Sequence, residues 1–319
     1  MPDSLRSIHV VAAAIADARG RILLARRTDG RDLAGLWEFP GGKREPGESP
    51  EAALVRELQE ELGITAKVGS PLINVPQQYP DKRLRLDVRH VLSWQGTPRG
   101  IEGQALAWVA PEKLPRYPMP PADRPVVAAL RQPDRYLVTP EPGEDEAAWL
   151  AGLARALESG AGRVHLRAPG LQAQLRWRRL AVAAVALCRK AGAEVLINGD
   201  IELARELDIG VHLRAAQLPA LCARPLTADA VVAASCHDAD ELRMAEALDC
   251  DFAVLGSVLA TASHPGGEAL GWEGFAKLRE SVSLPIYAIG GLGPADLDQA
   301  RQHGAQGIAA IRGLWPAHP

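Results

Sequence analysis

Residues 41–64 read GGKREPGESPEAALVRELQEELGI and hold six glutamates. Ser49 is suited to cap a helix that starts at Pro50 and runs to Leu62, since a proline is tolerated in the first turn. Leu54, Leu58 and Leu62 recur every four residues and predict one buried stripe. Glu57, Glu60 and Glu61 fall on another face, at spacings where like charges repel by a few tenths of a kcal/mol per pair. Two readings relieve that repulsion. One is a solvated acidic face. The other is a hard divalent cation, which takes oxygen ligands, commonly one or two carboxylates with water and substrate phosphate.

The whole chain has 319 residues, a length suited to about two domains of ~150 residues. Its 47% hydrophobic and 24% charged content is that of a globular protein. Only 4% is aromatic, so the core rests on Leu, Val, Ile and Ala. A net charge of −3 gives no footprint for a nucleic acid polymer or an anionic membrane, while leaving room for a small phosphorylated ligand on a local Arg/Lys cluster. The cysteines, Cys188, Cys222, Cys236 and Cys250, form no C-x-x-C pair, which argues against a disulfide framework or zinc site and for a reducing cytoplasm. The apolar run near the N-terminus ends at Asp17 and Arg19, too short to span a bilayer and unlike a signal peptide, and reads as a strand.

Around the opening segment, residues 1–131 form one candidate domain. SIHVVAAAIAD and RILLARR read as strands, RLRLDVRHVLSW alternates as a half-buried strand does, ALAWVAPEKL is a final strand and turn, and DRPVVAALRQ a closing helix. Residues 132–134 are the expected linker. From 135 to 319, eight short apolar runs alternate with helical stretches: RYLVTP, RVHLRA, EVLING, GVHLR, VVAASC, FAVLGSV, LPIYAIGG and GIAAIRG. Eight strand–helix units point to a small (β/α)8 TIM barrel, with a doubly wound open sheet as the runner-up.

The segment from Gly42 to Ile64 fits G-x5-E-x7-R-E-U-x-E-E-x-G-U (U, bulky aliphatic) at every fixed position: Gly42, Glu48, Arg56, Glu57, Leu58, Glu60, Glu61, Gly63 and Ile64. This is the Nudix box. WEFPGGK, YPDK, GIEGQALAW and PPADRPV extend the resemblance to the MutT type, which removes 8-oxo-dGTP from the nucleotide pool. The resemblance implies an α/β fold, a mixed sheet with helices on both faces, and Mg2+ (Mn2+ as an alternative) held by Glu57, Glu60, Glu61 and the Gly41 carbonyl. Glu48 joins as a ligand or as a support to one. Arg56 pairs with the acidic cluster. Glu102 stands where the MutT pattern has its general base. Water attacks the β-phosphorus of a nucleoside triphosphate, and the products are the monophosphate and pyrophosphate. Arg27, Phe39 and Lys43 are candidate substrate contacts. Asp123 replaces the asparagine that reads the oxidised guanine; an ionised Asp only accepts hydrogen bonds, whereas a protonated one also donates.

Residues 135–319 resemble the thiamine phosphate synthase and thiazole tautomerase (TenI) superfamily, through LCRKAGAEVLINGDIELARELDIGVHL and LPIYAIGGLGPADLDQARQHGAQGIAAIRG. The resemblance implies phosphate binding at Gly290, Gly291 and Arg312, with Arg167, Asn198, Thr261 and Ser263 as further contacts to a thiazole or pyrimidine phosphate. The synthase's charged set is eroded. Of its Gln-x-Arg-x-Lys only Arg167 remains in His165-Leu166-Arg167-Ala168-Pro169, Gly199 follows Asn198 in place of a metal-binding Asp, and Arg214-Ala215-Ala216-Gln217 lacks the second one. His264 stands for a lysine, and His165, His237 and His264 are candidates for an altered site. The leading expectation is Mg2+-dependent hydrolysis of oxidised purine triphosphates for nucleotide-pool sanitation, with a barrel that binds a phosphorylated ligand. The alternatives are a thiamine biosynthesis enzyme whose Nudix half clears faulty pyrophosphates, and a barrel that is a non-catalytic sensor or scaffold. Oligomeric state is left open.

Overall fold

The computed structural model describes residues 6–30, 32–171, 174–260 and 269–316. Thr261, Ser263 and His264 lie outside the described residues. The chain divides into two compact units, the first built on residues up to Gln132 together with Arg279–Ser283 and Arg301–Ala305, and the second on the remaining residues from Pro133.

In the first unit the elements are β1 (Arg6–Ile15), β2 (Ile22–Arg26), β3 (Trp37–Glu38), β4 (Gly41–Lys43), α1 (Pro50–Leu62), β5 (Thr65–Gln78), β6 (Lys82–Gln95), β7 (Leu106–Val109) and α2 (Arg124–Arg131). A mixed four-stranded sheet runs β4-β1-β6-β5, with β1 parallel to β6 and antiparallel to β4. A separate antiparallel sheet runs β3-β2-β7, a division that the strand pattern alone does not show. Strand β1 carries apolar residues on both faces because a helix covers each. Val11, Ala13 and Ile15 pack with Leu54, Leu58 and Leu62 of α1. Ala12 and Ala14 share the opposite cluster with Val126 of α2. The period of two in the strand thus sorts residues between two cores.

Helix α1 is bounded as its sequence predicts. The Ser49 hydroxyl accepts from Ala52 N–H at 3.1 Å, and Gly63 closes the helix in the left-handed region at φ 66°.

The second unit is a closed barrel of eight strands: β8 (Arg135–Val138), β9 (Arg163–Leu166), β10 (Glu194–Asn198), β11 (Gly210–Leu213), β12 (Val232–Cys236), β13 (Phe252–Gly256), β14 (Ile286–Ile289) and β15 (Gly307–Ala310). Neighbouring strands are parallel, and β8 pairs with both β15 and β9. Closure excludes the open-sheet alternative. The connections carry α3 (Glu146–Glu158), α4 (Leu175–Lys190), α5 (Ile201–Leu207), α6 (Ala239–Ala247), α7 (Gly271–Arg279) and α8 (Leu297–Gln302), and a 3-10 helix, Ala215–Ala220, follows β11. The barrel interior is filled by Tyr136, Val138, Leu196, Phe252, Val254 and Tyr287 among others. Arg163 is buried there, paired with Glu194, donating to the Tyr287 hydroxyl at 2.8 Å and lying over the Phe252 ring. No helix among the described residues is long and apolar enough to cross a membrane.

Candidate functional site

In the first unit, β4 lies beside α1 and receives its acidic side chains. Gly41 N–H donates to Glu61 Oε2 at 3.1 Å. The Glu57 carboxylate lies against Gly42, where an added Cβ would stand 2.1 Å from Glu57 Oε2. Gly41 adopts φ +152°, and a Cβ there would meet the Val11 carbonyl oxygen at 2.1 Å. Gly41 is therefore demanded by close approach to a neighbouring strand, while at Gly42 a side chain would displace the Glu57 carboxylate.

Arg56 organises the remaining acids. Its Nε and Nη2 donate to the two oxygens of Glu48, its Nη1 donates to Glu57 at 2.9 Å and Glu60 at 3.2 Å, and Nη2 also reaches the Lys43 carbonyl at 3.1 Å. The guanidinium holds the Glu48 carboxyl down at about 2, and its own acidity is weakened in return. Glu57 is half-buried, Glu61 is buried, and the Glu60 side chain is 58% exposed. The sequence places all three on one face; the structure lays Glu57 and Glu61 against Gly41–Gly42 and leaves Glu60 at the rim.

Among the described residues no group of three or more His, Cys, Asp and Glu is gathered closely enough to hold a metal ion on its own. The donor set nonetheless fits a magnesium-type cation, which needs only one or two carboxylates when water and phosphate complete its shell. Glu57 and Glu61 converge on the same dipeptide, and the site is all oxygen.

Glu102 is exposed in a loop that docks on the end of α1. Arg99 N–H donates to the Leu62 carbonyl at 3.1 Å, while Ile101 N–H and Gln104 Nε2 both donate to the Glu61 carbonyl at 3.0 Å. These carbonyls end a helix and lack intrahelical partners, so the loop satisfies them and is positioned by them. Lys43 is exposed at the end of β4.

A second polar group forms where β3 meets the 3-10 turn Pro121–Asp123. Asp123 is 6% exposed, and burial together with the nearby Glu38 carboxylate pushes its carboxyl up to about 8, against the hydrogen bond from Phe39 N–H. Arg27 pairs with Glu38 and donates through Nε to the Asp32 carbonyl at 2.7 Å. The Tyr79 oxygen accepts from Ala122 N–H. The Phe39 side chain belongs to the hydrophobic core; its backbone amide is the part that meets Asp123.

In the second unit a cavity of about 770 Å³ opens at the carboxyl ends of the barrel strands, the end where such barrels carry their sites. Arg167, Asn198, Gly290, Gly291 and Arg312 all line it. Gly290 and Gly291 both have positive φ, and a Cβ on Gly290 would stand 2.7 Å from Ser257 Cα.

The profile described as NUDIX domain matches residues 11–129, and that described as thiamine monophosphate synthase matches residues 135–314, more than half of the chain. This chain belongs to the thiamine monophosphate synthase family and carries an N-terminal Nudix domain. Over 126 residues the Nudix hydrolase half is 48% identical to a CTP pyrophosphohydrolase of Escherichia coli, a match covering 40% of this chain and 93% of the relative. It is 38% identical over 128 residues to an 8-oxo-dGTP diphosphatase of the same organism, covering 40% of this chain and 99% of that one. The barrel is 37% identical over 185 residues to a thiamine-phosphate synthase of Chromobacterium violaceum, covering 57% of this chain and 88% of the relative.

Beside the residues expected in the barrel, the cavity is lined by His165, His212, Arg214 and Ser235, of which only His165 is singled out by its sequence. The His165 and His212 rings stack with centroids 4.0 Å apart. His165 Nε2 meets Asn198 Oδ1 at 3.2 Å, while His212 is held at Nδ1 by the Tyr136 hydroxyl (3.0 Å) and at Nε2 by Ser235 Oγ (2.8 Å). Burial drives both imidazoles toward the neutral form, His212 down to about 3, and Arg167 adds to the effect on both. A signal existed: RVHL and GVHL each place one histidine in an otherwise apolar strand core. His237 also lines the cavity, outside this stacked pair, and its Nδ1 meets Glu241 at 2.9 Å.

Proposed function

We propose that the Nudix domain hydrolyses nucleoside triphosphates to the monophosphate and pyrophosphate with Mg2+. The observation that carries this is the convergence of Glu57 and Glu61 on Gly41–Gly42, braced by the Arg56–Glu48 pair. Glu57, Glu61 and the Gly41 carbonyl are the residues to hold the cation, with Glu60 at the rim. When bound, the cation neutralises phosphate charge and orients water. Arg56 keeps the carboxylates in place. Glu102 takes the water proton, and its loop's anchorage to α1 fixes its distance from the acidic face. Lys43 is placed for a terminal phosphate.

Base choice falls to Arg27, Glu38 and Asp123. Asp123 in its protonated form offers one donor and one acceptor, which matches the O6 and N7–H edge of an 8-oxoguanine. The same pair of carboxyls also suits cytosine, whose N4 amine donates to a carboxylate and whose N3 accepts from a carboxylic acid. The buried acid at Asp123, together with the 48% identity to a CTP pyrophosphohydrolase, makes cytosine nucleotides the second reading. The barrel, joined at residues 132–134, binds a phosphorylated small molecule at the mouth of its strands.

The test is pyrophosphate release by the full-length chain from 8-oxo-dGTP, dGTP, CTP and dCTP, with Mg2+ and with a chelator. Release that requires Mg2+ and is fastest with 8-oxo-dGTP supports the first reading; fastest release from CTP or dCTP supports the second. No release from any of the four overturns both.

A further inference from the structure

The synthase resemblance implies a divalent cation in the barrel, and the described residues do not fit one. No Asp or Glu is among the described residues that line the cavity. Asn198, the nearest oxygen donor by type, is engaged by His165. Asp200 is turned away as the cap of α5, its Oδ1 accepting from Leu203 N–H at 2.9 Å. Gly199 stands where a metal-binding acid is missing, and a Cβ there would lie 2.7 Å from Arg214 Nε. A guanidinium thus fills the space beside Asn198.

The charge that is present is cationic. Arg167, Arg214 and Arg312 all line the cavity. Among the described residues the Arg167 and Arg312 guanidiniums have no hydrogen-bond or ion-pair partner, and the Arg214 guanidinium is held only by the neutral Gln217 side chain. A lining whose described residues carry three guanidiniums and no carboxylate calls for an anion. His165, 4% exposed, spends Nε2 on Asn198 and has no partner for Nδ1 among the described residues. The rest of the lining includes the apolar Val138, Val254, Ile289, Leu292 and Ile311. The volume falls in the range that holds small organic molecules and far exceeds a phosphate ion.

We infer that the barrel binds a small organic phosphomonoester directly on guanidinium groups, with no divalent cation, and presents His165 Nδ1 to it. Arg167 and Arg312 bind the phosphate oxygens with charge-assisted hydrogen bonds, for which the guanidinium fork is shaped. The apolar part of the lining takes the organic part. The inference rests on the reading of the barrel as a phosphate-ligand site and removes the cation from it.

The experiment is calorimetric titration of the full-length chain with phenyl phosphate and with inorganic phosphate, each in excess chelator and in Mg2+. Phenyl phosphate is expected to bind in chelator within about twofold of its affinity in Mg2+, and more tightly than inorganic phosphate. Arg167→Gln and, separately, Arg312→Gln weaken it by about tenfold or more, the size of a lost charged hydrogen bond. In 15N NMR, the Nδ1 resonance of His165 moves on addition of phenyl phosphate in chelator. Should Arg167→Gln fail to fold, Arg312→Gln and the His165 resonance carry the decision. Binding that appears only with Mg2+ and is lost in Arg312→Gln overturns the cation-free inference while the phosphate-ligand reading stands. Absence of binding under both conditions, or binding indifferent to both arginines with a static His165 signal, overturns both.

Discussion

Arg56 grips Glu48 with two parallel hydrogen bonds, Nε to Oε1 at 2.9 Å and Nη2 to Oε2 at 3.0 Å, across eight residues of sequence. The same guanidinium reaches Glu57 at 2.9 Å. It therefore ties the loop before α1 to a carboxylate proposed to hold the cation. Two-point geometry is a property of Arg and not of Lys. Arg56→Lys is expected to lower kcat of triphosphate hydrolysis by about a hundredfold, the penalty of a mispositioned active-site group, with KM little changed. Steady-state pyrophosphate release measures it; wild-type kcat in Arg56→Lys would discard the bracing role.

In the proposed reaction Glu57 and Glu61 supply negative charge, not bulk. Glutamine keeps the size and one acceptor oxygen, so Gly41 N–H retains a partner in Glu61→Gln. Glu57→Gln and Glu61→Gln are each expected to lower turnover by several orders of magnitude while the thermal unfolding midpoint stays within a few degrees. Glu60→Gln, at the exposed rim, is expected to lose less. Equal losses at all three positions would contradict the division of labour read from their burial.

Gly42 gives a packing test of the same site. A methyl group there would stand 2.1 Å from Glu57 Oε2, so the carboxylate must move. Gly42→Ala is expected to cut kcat by about a hundredfold through that displacement. Its stability cost is smaller than a core overpacking of ~1–3 kcal/mol, because the clash is with the end of a side chain. Parallel measurement of kcat and urea midpoint separates the two effects.

The parts of this protein that could be read from sequence are those with a local cause. Ser49, Pro50, the leucine stripe and Gly63 bound α1 through contacts within a few residues of one another. The eight barrel strands are short apolar runs because parallel strands are covered on both faces. Strand β5 escaped that kind of reading. Gly69, Pro71 and Pro76 interrupt its alternation, and its register against β6 shifts three times between Lys67 and Ile73. It lies at a sheet edge, where a missing N–H is tolerated. The 3-10 turn after β11 replaces an expected helix for a similar reason, since Pro219 sits inside it. Within the candidate sites, the Nudix acids were legible because one helix carries them. Glu38 beside Asp123, and His212 against His165, were not, because each pair is joined only by tertiary pairing of distant strands or turns.

The lack of carboxylates among the described residues that line the barrel cavity predicts a negative result in a standard assay. Condensation of a pyrimidine diphosphate with a thiazole phosphate concentrates negative charge that a cation normally offsets. The full-length chain, given both substrates and Mg2+, is expected to form no thiamine phosphate above background in a chromatographic assay. Turnover comparable with that of a known synthase would show that guanidinium groups suffice for the condensation.

Asp123 supplies the pH test. Its carboxyl titrates near pH 8 in the folded chain because burial and Glu38 disfavour the charged form, and near its usual 3.8 when unfolded. Below pH 4 both states are protonated and no penalty arises. Between about pH 4 and pH 8 the unfolded chain releases a proton that the folded chain keeps, so stability falls as pH rises. Above pH 8 the loss is complete. Asparagine cannot ionise, so Asp123→Asn escapes the penalty. The stability of Asp123→Asn relative to the parent is expected to increase from pH 5 to pH 8 by ~1 kcal/mol or more, since each tenfold difference in proton affinity between folded and unfolded chain is worth ~1.4 kcal/mol. Chemical unfolding at the two pH values measures this difference, and a pH-independent difference would mean that Asp123 is charged in the folded chain. The same variant restores a fixed donor–acceptor pair and is expected to raise the ratio of 8-oxo-dGTP to dGTP hydrolysis. For cytosine nucleotides it removes the acid whose proton meets N3, and kcat/KM for CTP falls.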